Sequence, residues 1–235
     1  MINKKTQRRI CLLLATFLLV LSLPAALAEE EPVNSMLFQG HGSFRFTTRE
    51  GKVIYLDPAS GEGYDLPADL ILVTHAHSDH ARTDLIKNRN EGCTVITWKE
   101  ALAGGTHQVF DLGFVKVEAV EAGNNKNHKL SECVGFILTF SDGVTFYASG
   151  DTSATEQMKT FAGREIDYAA LCCDGKFNMG IEEAAACAEL IAAKHTMPCH
   201  MKPGALFDRA CADKFASLVE NAWIVEAGEE VVLVK

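Results

Sequence analysis

Beyond residue 28 the sequence has no apolar run long enough to cross a bilayer, which takes about 20 residues. It also has no internal repeat, low-complexity tract or linker. Those gaps exclude a helical membrane span, a solenoid and a chain of separate domains. Positive charge is scarce as well. Of 22 basic residues, four (Lys4, Lys5, Arg8 and Arg9) precede residue 28; the 18 that follow face 31 acidic residues, a net of −13. So acidic a surface suits neither nucleic acid nor an anionic membrane. A disulfide framework is missing too. Seven of the eight cysteines follow residue 28, an odd number without the spacing of a small stapled scaffold.

What is present begins with a leader. A basic start is followed by a nearly unbroken apolar stretch over residues 10–23, then Pro24 and the small-x-small sequence Ala26-Leu27-Ala28. That pattern reads as a secretory signal peptide over residues 1–28, cleaved after Ala28, which places the mature chain in the periplasm or outside the cell. A retained anchor is the alternative, but the apolar stretch is short for a full span. Residues 29–235 then form one domain of ordinary globular composition, 48% hydrophobic and 23% charged.

Its first half is rich in hairpins. Residues 36–38, 43–48, 53–56 and 70–73 read as strands, the last a continuous apolar run buried on both faces. A short helix is expected over 81–87 and another over 99–103. Further strands are expected over 94–97, 108–110, 115–120, 135–140 and 144–148, the last two joined by an Asp142-Gly143 turn. After them come a strand over 168–173, a helix over 181–193, a strand over 196–199, a helix over 211–219 and closing strands over 223–225 and 231–234. Two sheets with outer helices fit this order.

The segment Thr74-His75-Ala76-His77-Ser78-Asp79-His80 follows the buried strand directly and packs four potential metal ligands into six residues. Imidazole and carboxylate together suit zinc and similar divalent ions. Capping roles would explain one of these side chains, not four. One segment cannot close two metal spheres, so partners are sought at other strand ends. His128, Asp151 and His200 are each a polar residue close after an apolar run.

In order and spacing, the His75-x-His77-x-Asp79-His80 segment, His128, Gly150-Asp151-Thr152 and Pro198-Cys199-His200 resemble the metallo-β-lactamase superfamily. Gly40-His41-Gly42-Ser43-Phe44, Leu56-Asp57-Pro58, Asn124 to His128 and Gly175-Lys176-Phe177-Asn178-Met179 resemble one branch of it, the L-ascorbate-6-phosphate lactonase-like metal-dependent hydrolases. The resemblance spans residues 36–235. It implies an α/β fold, the four-layer αββα sandwich, and two divalent ions. Zinc is the expected metal, with manganese or iron as alternatives. It further implies that His75, His77 and His128 hold one metal and that Asp79, His80 and His200 hold the other. Asp151 bridges the two, a water or hydroxide between the metals is the nucleophile, and Asp79 steers the proton lost on attack.

Other residues carry two readings each. Asp57 orients a ligand histidine or simply ends a turn. His41 points into the pocket or holds its turn. Lys126, Lys176 and Asn178 bind an anionic substrate group or face solvent. His107 and His195 read as surface residues and Cys199 as core. Cys172 and Cys173 read as buried strand residues, with thiol ligation as the alternative. Departures from the family pattern at 121–123, 172–174 and 201–203 are expected at the pocket rim. The function expected is hydrolysis of an ester, lactone, amide or phosphodiester bond in an extracytoplasmic small molecule. No nucleic acid and no lasting membrane association are expected once the leader is removed, and a homo-oligomer is compatible with the sequence. The rival reading, a non-catalytic binding protein on the same fold, should have lost at least one ligand, and all seven are present.

Overall fold

Strand-forming apolar runs separated by glycine turns dominate the chain, and the computed structural model, which describes residues 31–235, resolves them into two six-stranded sheets. The expected leader lies outside the described residues. Among those described, no helix is long and apolar enough to cross a membrane.

The first sheet is built from β1 (Asn34–Gly40), β2 (Ser43–Thr47), β3 (Val53–Leu56), β4 (Ala68–Val73) and β5 (Arg89–Thr97) in consecutive order. A four-residue helix, α1 (Trp98–Ala101), follows β5. The second sheet holds β6 (Val109–Asp111), β7 (Val115–Glu121), β8 (Val134–Phe140), β9 (Thr145–Ala148), β10 (Tyr168–Cys172) and, after helix α2 (Ile181–Ile191), β11 (His195–Cys199). Helix α3 (Arg209–Ala216) and β12 (Glu230–Leu233) end the chain, β12 returning to pair antiparallel with β1. The expected α/β sandwich is the fold observed.

The core lies between the sheets. Phe46 on β2 meets Phe140 and Phe146 of the second sheet at ring centroids 5.8 and 4.9 Å, and Phe44 meets Phe146 at 5.7 Å. All are at most 2% exposed. Each buried Phe contributes roughly 1.5–3 kcal/mol by leaving water. Edge-on ring pairs such as Phe46–Phe146 add about 0.5–1.5 kcal/mol. Helix α2 turns Ala184, Cys187, Ala188 and Ile191 inward and packs on β10. The outer face of the first sheet is covered more thinly. Val53, Tyr55, Ile71 and Val73 there are capped by Ile86, Tyr64 and Trp98 rather than by a long helix.

Strand direction places the functional end. In the first sheet β1 is antiparallel to β2, β2 to β3, and β3, β4 and β5 are parallel. In the second, β7 is antiparallel to β8, β8 to β9, and β9, β10 and β11 are parallel. Strands β1, β3 and β4, like β7, β9, β10 and β11, therefore run the same way within their sheet and deliver their C-terminal ends to one edge. Ligand sites of parallel sheets gather at that edge.

Three sequence expectations are corrected. Residues 81–87 hold only a 3-10 turn, Thr83–Leu85, because Ile86 is pulled into the cover of the first sheet. Residues 223–225 form no strand; Ala222 makes a single bridge to Thr196, and Trp223 packs its ring on Tyr168. Strand β5 begins at Arg89, five residues before the apolar run, because pairing with β4 extends a polar stretch that has no strand pattern of its own.

Candidate metal centre

Every candidate ligand follows the C-terminal end of a like-running strand: His41 after β1, the 75–80 segment after β4, His128 after β7, Asp151 after β9 and His200 after β11. The two sheets are tied at this edge by Val134 N donating to Thr74 O at 3.0 Å. Two glycines permit the approach. A Cβ on Gly42 would stand 2.9 Å from His80 Cε1, and one on Gly150, at φ 59°, would stand 2.8 Å from Val134 O. Of six non-glycine residues with positive φ among those described, three are His41, Asp57 and His200. Such backbone costs of order 1 kcal/mol or more each and persists where surrounding contacts over-determine it.

The structure brings the seven expected ligands together. His75 Nε2 lies 3.1 Å from His77 Nδ1, and His128 Nε2 lies 3.2 Å from the same atom. Around the corner, His41, Asp79, His80 and His200 place one donor atom each within 4.8 Å of one another. Asp151 stands between the groups. Its Oδ2 is 3.4 Å from His128 Nε2 and 3.4 Å from His200 Nε2, and its Oδ1 is 3.3 Å from His80 Nε2. His75, His80, His128, Asp151 and His200 are all buried, whereas His77 and Asp79 face the opening.

Buried carboxylates set the tautomers. Asp57, 1% exposed, accepts from Thr74 N at 2.7 Å, from Thr74 Oγ1 at 2.6 Å and from His80 Nδ1 at 2.8 Å. Because Thr74 Oγ1 gives its hydrogen to Asp57, its 3.0 Å contact with His75 Nδ1 requires the imidazole to donate. Both rings therefore carry hydrogen on Nδ1, which leaves Nε2 as the nitrogen turned inward for a ligand. A second carboxylate, Asp174, forms an ion pair with His200, its Oδ2 3.1 Å from His200 Nδ1. Asp174 is itself held by backbone N–H groups of Lys176 and Phe177, each at 2.7 Å. Reading the sequence missed this role. Asp174 is the polar residue that ends the buried run of β10, the same signal that pointed to Asp151 and His200.

The result is a set of ring nitrogens and a carboxylate oxygen turned on one another. His80 Nε2, His200 Nε2 and Asp151 Oδ1 are buried and make no hydrogen bond. Orphaned buried polar atoms are costly, about 1–3 kcal/mol each. A divalent cation would satisfy all three, so the donor set fits a metal. The charges agree. Burial, helped by His80, pushes His75 down to about 2, so its ring is neutral and free to ligate. Burial also lowers His128. For His200, Asp174 and Asp79 outweigh burial and push it up to about 9. For His80, Asp151 and Asp57 outweigh burial and raise it too. Asp79 is lowered by His200 and His41, and Asp151 by His80 against its own burial.

The remaining candidates divide. Asp57 and His41 join the cluster. Asn178, 9% exposed, spends its amide on Asp174 at 2.8 Å, beneath His200. Lys126 is exposed on the loop before His128, and Lys176 lies over the Phe177 ring at 4.9 Å. His195 is exposed and stacks on Tyr168; His107 is partly buried, unlike the surface residue expected. Cys172, Cys173 and Cys199 are buried, and among the described residues no cysteine joins a candidate metal group. Of the three departures, 121–123 and 172–174 are mostly buried, whereas Lys202 and Pro203 are exposed next to the cleft residues 204–206.

Two clefts flank Asp79. One of ≈ 350 Å³ is lined by His77, Asn127, His128, Asp151, Phe177 and His200. The other, ≈ 330 Å³, is lined by His41, Ser60, Ser78 and residues 204–206. Both are of small-molecule size. A larger groove between α2 and residues 218–221 is lined by five alanines, three glutamates, Leu218, Val219 and Asn221, and holds none of the candidate ligands.

A family model described as a β-lactamase superfamily domain matches residues 35–200, which hold every candidate ligand. A UPF0173 metal-dependent hydrolase of Methanosphaera stadtmanae is 31% identical over 214 residues, covering 77% of this chain and 89% of its own. Among solved structures, a protein described as a metal-dependent hydrolase from Parabacteroides distasonis is 26% identical with a TM-score of 0.67, covering 83% of this chain and 93% of its own. Igni18, a metallo hydrolase of Ignicoccus hospitalis, shares the fold at 21% identity and a TM-score of 0.62, covering 85% and 98%. These descriptions name metal dependence and hydrolysis, and no substrate.

Proposed function

We propose that this chain, which belongs to the β-lactamase superfamily and within it to the UPF0173 metal-dependent hydrolases, is an exported two-metal enzyme. It cleaves an ester, lactone, amide or phosphodiester bond in a small molecule. The observation that carries this reading is Asp151, one carboxylate within 3.4 Å of histidines from both ligand groups. His75, His77 and His128 hold one ion, Asp79, His80 and His200 hold the other, and Asp151 is shared. Zinc suits this mixed imidazole and carboxylate set, with manganese or iron as alternatives.

When bound, the two ions supply a water of lowered pKa and an electrophile for the substrate oxygen. The chain does the rest. Asp57 and Asp174 fix the histidine rings before substrate arrives. Asp79, its side chain 51% exposed, faces both clefts and takes the proton released on attack. Phe177 and Leu206, 40% and 48% exposed, give the opening apolar walls. Export rests on the leader pattern of residues 1–28, and the acidic mature surface leaves a small molecule as the partner.

The test is purified mature protein stripped with a chelator, assayed on a panel of lactones, esters, amides, phosphodiesters and β-lactams, then given zinc or manganese. Activity that disappears on stripping, returns with metal and is lost in His77→Ala supports the reading. Activity that survives both treatments overturns it.

A further inference from the structure

We propose that His41 is a direct ligand of the second metal, completing a site formed by His41, Asp79, His80, His200 and the shared Asp151. The inference rests on the two-metal reading above and assigns to His41 a role different from contact with substrate.

The argument starts from hydrogen placement. His41 Nδ1 lies 3.2 Å from the carbonyl oxygen of Ala205. A carbonyl only accepts, so Nδ1 carries the hydrogen, and Nε2 of the neutral ring keeps a lone pair. That lone pair sits 3.4 Å from Asp79 Oδ2. Two acceptors at this distance repel unless a cation lies between them. A proton on Nε2 would relieve this one pair and leave His80 Nε2 and His200 Nε2, both buried, without a partner. One metal ion satisfies all of them.

The spacing agrees. Donors each 2.0–2.1 Å from a five-coordinate zinc stand about 2.9 to 4.2 Å apart. His41 Nε2 meets Asp79 at 3.4 Å, and His200 Nε2 stands 3.7 Å from the same carboxylate oxygen. The ring is also held as a ligand should be. His41 is 4% exposed and its backbone is in the left-handed region. Its N–H donates to Leu206 O at 2.7 Å, and its carbonyl accepts from His200 N at 2.6 Å. Its ring packs on that of His200 at 3.7 Å between centroids. Gly42 leaves room for the turn to press against His80, where a Cβ would come within 2.9 Å.

The fold supplies an independent reason. Strand β1 occupies in its sheet the place that β7 occupies in the other, before two antiparallel steps and two parallel ones. The loop after β7 carries His128, a ligand of the first metal. The turn after β1 carries His41.

The experiment is a cobalt titration of the mature chain, followed by optical absorption and by proton NMR of exchangeable imidazole N–H signals shifted by the paramagnetic ion. The expected wild type binds two cobalt ions and shows one shifted N–H for each of His41, His75, His77, His80, His128 and His200. His41→Gln should lose one of these signals and bind the second ion at least tenfold more weakly, with the first ion unaffected. If the wild type binds two ions but shows five shifted signals, or if His41→Gln binds both with unchanged affinity, His41 is not a ligand. The wild-type count decides the matter even where His41→Gln fails to fold. A chain that binds no cobalt overturns the two-metal reading itself, a separate result.

Discussion

The two sheets share one plan. Each runs through three antiparallel pairings and then two parallel ones, and each delivers its like-running strand ends to the same edge. They equip that edge differently. In the first sheet the donors are concentrated: residues 75–80 supply four after β4, and Asp57, after β3, stays behind them as a support. In the second they are spread: His128, Asp151 and His200 come singly from three strand ends, and the support, Asp174, follows β10. The corresponding ends of β3 and β9 thus carry aspartates with opposite duties, Asp57 bonded to His80 and, through Thr74, to His75 of its own sheet, and Asp151 facing histidines of both. The difference follows from reach. Residue 151 comes three residues after β9 ends, with Gly150 turning the chain at φ 59°, whereas Asp57 follows β3 directly and is captured by Thr74.

The largest expected effect breaks the comparison at its centre. Asp151→Ala should abolish binding of both metals, because it removes the one donor common to the two groups. His77→Ala should leave one ion bound. Metal content after gel filtration measures this, and equal stoichiometry in the two variants would show that Asp151 is not shared.

A smaller effect compares the supports. Asp57→Asn should cost more than Asp174→Asn, because Asp57 orients His80 directly and His75 through Thr74, while Asp174 orients His200 alone. Losing such a partner costs roughly 10–100-fold in metal affinity. The first variant belongs at the upper end of that range and the second at the lower, as read by chelator competition. An equal loss would refute the relay through Thr74.

The smallest effect is in protons. His75, lowered to about 2, has none to give up at neutral pH. His200, raised to about 9, must release one before it ligates. Affinity of the second group should rise about tenfold per pH unit for each proton displaced, up to pH 9. The affinity that depends on His75 should stay flat. The same shift acts on the metal-free fold. The protonated His200 stabilises it fully below its unfolded pKa near 6.5, and that contribution fades as pH rises through about 9. Calorimetry in buffers of different ionisation enthalpy would detect the released proton, and thermal melts of the apo protein the lost stability.

How much of this was legible in the sequence differs by residue. The 75–80 segment was readable because its donors are neighbours in the chain. His128, Asp151 and His200 were readable because each follows an apolar run. Asp174 obeys the same rule, but it stands beside two cysteines at a departure from the family pattern, so its position alone does not mark it. Lys126, Lys176 and Asn178 stand out by charge or amide chemistry within the branch-like motifs, and the structure turns Asn178 inward to Asp174. The polar start of β5 and the short turn at Thr83–Leu85 were not legible, since partner strands and a buried Ile86 decided them.

What the sequence determined by itself is the donor inventory: which residues are chemically able to ligate, and that each sits where a strand stops. Hydrophobic periodicity sets those stops, and it is local. What only the tertiary structure decided is which donors face one another, which nitrogen of each ring is free, and that His41 belongs among them. Those depend on strand direction, which brings seven distant ends to one edge, and on buried carboxylates that take one imidazole hydrogen and leave the opposite lone pair without a partner.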